Sequence, residues 1–143
     1  MKYFYIEPEV AGGLGKNTVM DRSVHPPIFR RLHYEFDGWP DDALLTSFPC
    51  FIVTEAAKKK LQSVGLTGIR FDRVEVTTSE AYQELFPNQQ LPKFVWLQID
   101  GKPGKDDFGF AQNARLIISE RALEVLRGLG ISNALVTPFE KGL

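Results

Sequence analysis

The chain of 143 residues has the composition of an ordinary globular domain, with 43% hydrophobic, 24% charged and 12% aromatic residues. These values exclude a largely disordered chain and suit one domain that is large enough to bury a core. The formal net charge of −1 argues against a general nucleic-acid binder, because phosphate contacts require a basic face. Cys50 is the only cysteine, which excludes an intrachain disulfide and a cysteine-rich zinc site.

The N-terminal sequence "MKYFYIEPEV" contains an apolar run that is too short for a signal peptide, because Glu7 and Pro8 interrupt it. Nowhere do 18 apolar residues follow one another, so no membrane-spanning helix is expected. We therefore expect a soluble, cytoplasmic protein that has no membrane partner.

The first third of the chain is predicted to contain two strands and one short helix. Residues 2–6 are β-branched and aromatic, and residues 28–36 alternate roughly between apolar and polar positions, so both segments indicate strands. Residues 11–27 are rich in glycine, proline and polar side chains, which favours a loop. Residues 41–48 lie between two prolines and begin with two acids, which favours a short helix.

One phrase occurs twice in the sequence, at a constant offset of 65 residues. Residues 52–67 read "IVTEAAKKKLQSVGLT" and residues 117–132 read "IISERALEVLRGLGIS". Thr54 and Ser119 stand where an N-cap is needed, an acid follows each of them, and a glycine ends each helical pattern. The agreement predicts a duplicated unit, although any capped amphipathic helix that ends in glycine shares some of these features.

Three further elements are predicted between the two copies. Residues 77–86 indicate a helix, in which Thr77 and Glu80 have the spacing of a capping box. Residues 93–100 indicate a strand that is apolar on both faces and therefore central in its sheet. Residues 101–113 are rich in glycine and lysine and then acidic and aromatic, which favours a long exposed loop.

Together these elements predict an α+β fold in which residues 1–143 form a single domain with a mixed sheet. Two duplicated strand–helix–strand units are expected at residues 51–76 and 116–140. Additional strands are expected near residues 2–6, 28–36 and 93–100.

No motif in the sequence predicts catalysis, a metal site or a cofactor. The stretch "GGLGKNT" (12–18) resembles a phosphate-binding loop, but Asn17 stands where that motif requires serine or threonine, so a flexible loop is expected. Cys50 with His25 or His33 would be a possible thiolate and base. Cys50 lies within an apolar run, however, which favours an inert core position.

The residues that we predict to bind a partner are two acidic pairs and two aromatic residues. Adjacent carboxylates suit the recognition of a basic partner, although they are also common on solvated surfaces. The two rings lie in polar surroundings that favour exposure, which would make them anchors of an interface, whereas Trp96 in its strand is expected to be core. The six predicted partner-binding residues are Trp39, Asp41, Asp42, Asp106, Asp107 and Phe108.

A family resemblance is carried by the two helices with the pattern "[ST]-E-x-A-x-x-x-L-x-x-x-G", the intervening strand "FVWLQIDG" and the "DDFG" before the second copy. Over residues 50–140 the chain resembles bacterial immunity proteins of polymorphic-toxin systems, including the double-CxxCG group. It lacks the CxxCG motifs, since Cys50 is its only cysteine, so no metal-binding property of that group applies. The resemblance implies a cytoplasmic protein that neutralises a cognate toxin protein by occlusion, without catalytic residues.

Two other functions remain open from the sequence. The chain could be a small-ligand-binding protein or an enzyme with a cleft between the two repeat units, for which a pocket near His33, Asp72 or Glu75 would be the sign. It could also be a structural or oligomerisation domain, for which a large exposed apolar face would be the sign. The sequence leaves the oligomeric state undetermined.

Overall fold

The computed structural model describes residues 2–24 and 27–140, and within them it contains three helices and twelve strands in one α+β domain. The strands are β1 (Tyr3–Glu7), β2 (Gly12–Leu14), β3 (Val19–Asp21), β4 (Ile28–Phe36), β5 (Leu44–Ser47), β6 (Cys50–Thr54), β7 (Ile69–Asp72), β8 (Val74–Thr78), β9 (Phe94–Ile99), β10 (Phe108–Phe110), β11 (Leu116–Ser119) and β12 (Leu135–Phe139). The helices are α1 (Glu55–Val64), α2 (Glu80–Leu85) and α3 (Glu120–Leu129).

The strands form three four-stranded sheets, whereas the sequence predicted one mixed sheet. Sheet I has the order β10-β11-β1-β12, and sheet II has the order β5-β6-β9-β7. Both are antiparallel throughout their pairs. Sheet III is built on β4, which pairs antiparallel with β2 and β3 and parallel with β8, so it is the mixed sheet.

The two predicted strand–helix–strand units have the same strand pairing. In the first unit β6 and β7 flank β9, and in the second unit β11 and β12 flank β1. The first helical N–H makes an equivalent bond in each unit, from Glu55 to the Lys93 carbonyl at 2.9 Å and from Glu120 to the Lys2 carbonyl at 3.0 Å. The duplication of one segment within the chain stays a prediction.

The helix ends are those that the sequence predicts for α1 and α3. Thr54 Oγ1 and Ser119 Oγ each accept a bond from the backbone N–H three residues on, at 3.1 and 3.0 Å, which satisfies one free donor of the first turn. Gly65 and Gly130 follow the two helices with φ angles of 77° and 106°, which glycine adopts without steric cost.

Sheet II is the middle layer, because both of its faces are buried. Successive side chains of a strand point to opposite faces. In β5, accordingly, Leu44 packs in the core under the helices while Leu45 packs in the core against sheet III. The prediction of a helix over residues 41–48 is therefore wrong: residues 44–47 form β5 at the edge of sheet II, where adjacent leucines are both buried because each face of the sheet is covered.

Two segments that were expected to be loops contain strands. Residues 11–27 include β2 and β3, and a Cβ atom at Gly12 would collide with the Glu35 carbonyl of β4. Residues 101–113 include β10, where a Cβ atom at Gly109 would collide with Pro103. These glycines permit the close approach of two backbones, so a glycine-rich composition does not indicate a flexible loop here.

Two predicted element boundaries between α1 and β9 are also wrong. The strand expected over residues 69–76 is divided at Arg73, because β7 joins sheet II while β8 joins sheet III. The predicted helix over residues 77–86 begins only after Ser79, whose side chain is the actual N-cap. Thr77 cannot cap it, since Thr77 pairs with Glu35 inside β8.

Two aspartates connect the units reciprocally at positions that are also 65 residues apart. Asp107 Oδ2 accepts a bond from the Thr67 N–H at 2.9 Å, in the loop after α1. Asp42 Oδ2 accepts a bond from the Asn133 N–H at 2.9 Å, in the loop after α3. Asp107, which precedes the second unit, thus fixes the loop after the helix of the first, and Asp42, which precedes the first unit, fixes the loop after the helix of the second.

Asp107 additionally forms a partly buried ion pair. Its Oδ2 lies 2.7 Å from Arg121 Nη2, and its Oδ1 accepts a bond from Ser119 Oγ at 2.6 Å. Burial by itself raises the pKa of Asp107, but the hydrogen bonds from Arg121, Ser119 and Thr67 outweigh burial and lower that pKa from 3.8 to about 2. The carboxylate is therefore held in its charged form.

We predict that Asp107→Asn lowers the free energy of unfolding at pH 7 by about 2 kcal/mol, because the low folded-state pKa stabilises the folded state wherever the carboxylate is ionised. The folded-state pKa lies below the unfolded one, so this contribution is complete above about pH 5 and is lost as the pH falls between about 4 and 2. Urea unfolding at several pH values measures the difference between the two proteins.

The control for that prediction is Asp41→Asn. Asp41 belongs to the other acidic pair, next to Asp42, and its side chain is exposed. A surface change of this kind alters stability by less than about 0.5 kcal/mol. A deficit for Asp107→Asn that stays constant from neutral to acidic pH would contradict the assignment.

Candidate functional site

Three of the six residues that were predicted to bind a partner are buried in the fold. Asp42 and Asp107 are 4% and 8% exposed and make the reciprocal bonds between the units. Phe108 is fully buried in the core under the helices. The expectation that Phe108 and these two acids form a surface is therefore wrong, because their side chains are occupied inside the molecule.

The other three predicted residues are accessible to different extents. Trp39 is half-buried and lies 6.4 Å from the ring of Phe86. Asp41 is exposed, and Asp106 is half-buried, where its Oδ2 accepts a bond from the Lys102 N–H at 2.7 Å. Within the described part of the chain no hydrogen bond or ion pair joins Asp41 to Asp106. A partner-binding role for these three residues stays a prediction.

His33 has both ring nitrogens occupied. Its Nδ1 accepts a bond from the Asn17 N–H at 3.2 Å, so the proton lies on Nε2, which is 2.6 Å from Thr77 Oγ1. The residue is 2% exposed, and Gly15 packs directly against the ring. His33 is therefore a structural residue that organises the "GGLGKNT" segment, and His25 lies outside the described residues.

Glu75 and Asp72 are held by neighbouring groups near the surface. A hydrogen bond from the side chain of Asn17, supported by Arg31 at 2.9 Å, lowers the pKa of Glu75. Asp72 Oδ1 accepts the backbone N–H of Arg73 at 2.7 Å. Both carboxylates line one cavity, but His33 does not line it, so the three residues do not converge on a ligand.

Cys50 is an unreactive thiol. It is 5% exposed, and burial raises its pKa to about 12. The thiolate is the nucleophilic form of cysteine, and this pKa leaves the side chain protonated at neutral pH. Cys50 consequently serves as a small apolar wall of the cavity described next.

An open cavity of about 510 Å³ lies where sheet II, the β10–β11 turn and the start of β4 meet, and we call it the junction cleft. Of the two repeat units, only the first contributes to its walls, through Phe51 and Arg70. Its apolar walls include Pro27, Phe29, Phe48, Pro49, Trp96 and Phe110. Polar side chains are contributed by Arg70, Gln98, Gln112 and Asn113.

The turns of two hairpins shape the junction cleft. Phe48 stands in the turn between β5 and β6, where it is 67% exposed. Opposite it, the β10–β11 turn is closed by a bond from the Ala111 N–H to the Arg115 carbonyl at 2.9 Å. The rings of Phe51 and Phe110 lie 5.7 Å apart at the inner end. The result is an apolar cavity with one accessible aromatic ring at its entrance.

A second cavity of about 430 Å³ shares Trp96 with the junction cleft, and we call it the arginine cavity. Charged side chains dominate its walls, whereas apolar ones dominate those of the junction cleft. Its walls include Arg30, Arg31, Asp72, Arg73, Glu75 and Trp96.

The sequence analysis did not identify Phe48 or the arginines as functional candidates. One available signal was "IFRRLHYEF", where two consecutive arginines interrupt the alternation of a strand. Such an interruption indicates a β-bulge, and bulges are frequent beside functional sites. Phe48 had no comparable signal, because an isolated apolar residue in a turn is common on protein surfaces.

A scan of protein-family models finds no family that matches this chain, and a search of curated proteins finds no match. Within the described residues, no helix is long and apolar enough to cross a membrane. Residues 2–24 and 27–140 also contain no group of three or more His, Cys, Asp or Glu side chains that could hold a metal ion.

We predict that Cys50 in the folded protein resists alkylation by iodoacetamide at pH 8. A pKa near 12 leaves only about one thiol in 10,000 ionised at that pH, and burial limits access as well. Mass spectrometry of the folded and the urea-unfolded protein should show at least about a 100-fold difference in rate. Alkylation rates of the folded and unfolded protein that differ by less than about tenfold would contradict a buried, protonated thiol.

Proposed function

We propose that this chain is a cytoplasmic immunity-type protein that binds a cognate bacterial toxin and neutralises it by occlusion. The proposal combines the family resemblance over residues 50–140 with the junction cleft. The residues that carry the resemblance build α1, α3 and β9, and β9 supplies Trp96 to the cleft. The scaffold that resembles immunity proteins therefore also holds the candidate binding site.

The single observation that supports binding most directly is the exposed ring of Phe48 beside an apolar cavity. Aromatic residues, including phenylalanine, are enriched at protein interfaces relative to the rest of the surface. Burying the exposed two thirds of a phenylalanine removes roughly 120 Å² from water, which contributes about 3 kcal/mol before the costs of association. That is enough to make Phe48 a principal contact.

The side chains that could act in catalysis are engaged in the fold or unreactive, which favours a binding function over an enzymatic one. The ring nitrogens of His33 are both occupied by structural hydrogen bonds, and the Cys50 thiol is protonated at neutral pH. Neither side chain is poised as a base or a nucleophile. An occluding inhibitor requires neither.

We predict that Phe48→Ser weakens toxin binding by at least tenfold, or about 1.4 kcal/mol, because the ring would be buried at the interface. The toxin for this test is the product of the gene next to the one that encodes this chain. Calorimetry of the purified pair measures affinity, and growth of cells that express both proteins measures protection.

The matched control is Leu85→Ser, since Leu85 is 68% exposed and lies at the end of α2, away from the cleft. It loses a similar exposed apolar group and should bind and protect like the wild type. Equal protection by the two variants would show that Phe48 does not lie in the interface. A harmless neighbouring gene product would contradict the proposed function.

A small-ligand-binding protein is the second candidate, because the volume of the junction cleft lies within the range of about 300–1,000 Å³ that is typical of ligand pockets. The polar side chains of Gln98 and Gln112 would orient such a ligand, whereas Arg70 already pairs with Asp100 at 2.8 Å. Tight binding of a free small molecule would favour this candidate over the inhibitor.

A further inference from the structure

We propose that the segment of the partner that enters the junction cleft is acidic, with an apolar side chain in the cleft and a carboxylate that binds Arg30 and Arg73. This inference rests on the proposed function and specifies the chemistry of the partner. The sequence favoured a basic partner, but two of the four acids on which that expectation depended, Asp42 and Asp107, are buried between the units.

The two cavities provide the spacing for such a segment. Trp96 lines both, and along β7 the cleft residue Arg70 and the arginine-cavity residue Asp72 lie on the same face, two positions apart. Same-face positions of a strand are separated by about 7 Å, which is also the distance between residues i and i+2 of an extended peptide. One extended segment can therefore reach both cavities with alternate side chains.

A β-bulge presents Arg30 at the surface. Val19 pairs with Arg31 and Met20 pairs with Phe29, so Arg30 has no partner on β3. The extra residue lets Phe29 pack toward the core beside sheet II while Arg30 is exposed. The bulge thus places an apolar wall and a guanidinium next to each other.

The existing ion pairs leave the positive charges of two guanidinium groups, those of Arg30 and Arg73, without a close carboxylate. Arg31 lies 2.9 Å from Glu75, whereas Arg30 is 3.9 Å from Asp21, which is too long for a hydrogen bond. Within the described residues the Arg73 side chain makes no ion pair. Arg30 and Arg73 are therefore available to an incoming carboxylate.

The carboxylate of the preceding residue, Asp72, does not pair with the Arg73 guanidinium. Asp72 accepts the backbone N–H of Arg73, which holds its Oδ1 against the main chain. Both arginines are exposed, and single exposed ion pairs contribute little affinity. An anion without an apolar group should therefore bind weakly, which favours a protein segment that combines both features over a free anion.

The test uses three blocked pentapeptides and the full ¹⁵N-labelled chain. The first has a central phenylalanine flanked by serines and terminal glutamates, the second replaces the glutamates by lysines, and the third replaces the phenylalanine by alanine. We expect the first peptide to bind at least about tenfold more tightly than either of the others and to shift the indole signal of Trp96. Arg73→Glu should abolish the preference for glutamate over lysine.

Arg127→Glu is the control variant, because Arg127 is an exposed arginine on α3 and the change in net charge is identical. It should keep the preference. Equal binding of the glutamate and lysine peptides, equal binding of the alanine peptide, or no shift at millimolar peptide would overturn the inference.

Three outcomes distinguish a failure of this inference from a failure of the proposed function. If free 3-phenylpropionate binds as tightly as the first peptide, the site takes a small molecule and the inference fails. If the toxin is neutralised but the peptides show no charge preference, only the inference fails. If the first peptide binds most tightly while the neighbouring gene product is harmless, the inference of an acidic partner is supported and the assignment of a toxin partner is contradicted.

Discussion

The arrangement of this protein depends on sheet II being buried on both faces. Helices α1 and α3 and sheet I cover one face, and sheet III with α2 covers the other, so adjacent residues such as Leu44 and Leu45 contribute to two different cores. Because apolar burial is the main stabilising contribution to folding, this middle layer determines where the other elements pack. The junction cleft is lined by residues of sheet II together with the β10–β11 turn and the start of β4.

The polar groups of the molecule divide between structure and surface. Asp42 and Asp107 fix the loops after the two helices, and His33 fixes the loop between β2 and β3. Buried polar groups are costly unless they are hydrogen-bonded, so these side chains are committed to the fold. The groups that remain available for recognition include the exposed Phe48 together with Arg30 and Arg73 of the arginine cavity, which gives the candidate interface an apolar and a cationic part.

The candidate site was only partly accessible to sequence reasoning. The burial of Trp96 and Cys50 was predicted correctly, since both lie within apolar runs of strands. The acidic pairs were assigned to the surface, because adjacent carboxylates usually are solvated. Their burial depends on donors such as the Asn133 N–H, which is 91 residues from Asp42. No local pattern reveals a partner at that separation.

The sequence by itself determined the local elements: the caps at Thr54 and Ser119, the glycines that end α1 and α3, and the central strand over residues 93–100. These features depend on interactions between residues a few positions apart, which a single chain displays directly. Only the tertiary structure decided that residues 41–48 form a strand, that the acids are buried and that a cleft opens beside Phe48. Those outcomes depend on which surfaces the packed layers cover, and that is fixed by contacts between segments distant in the sequence.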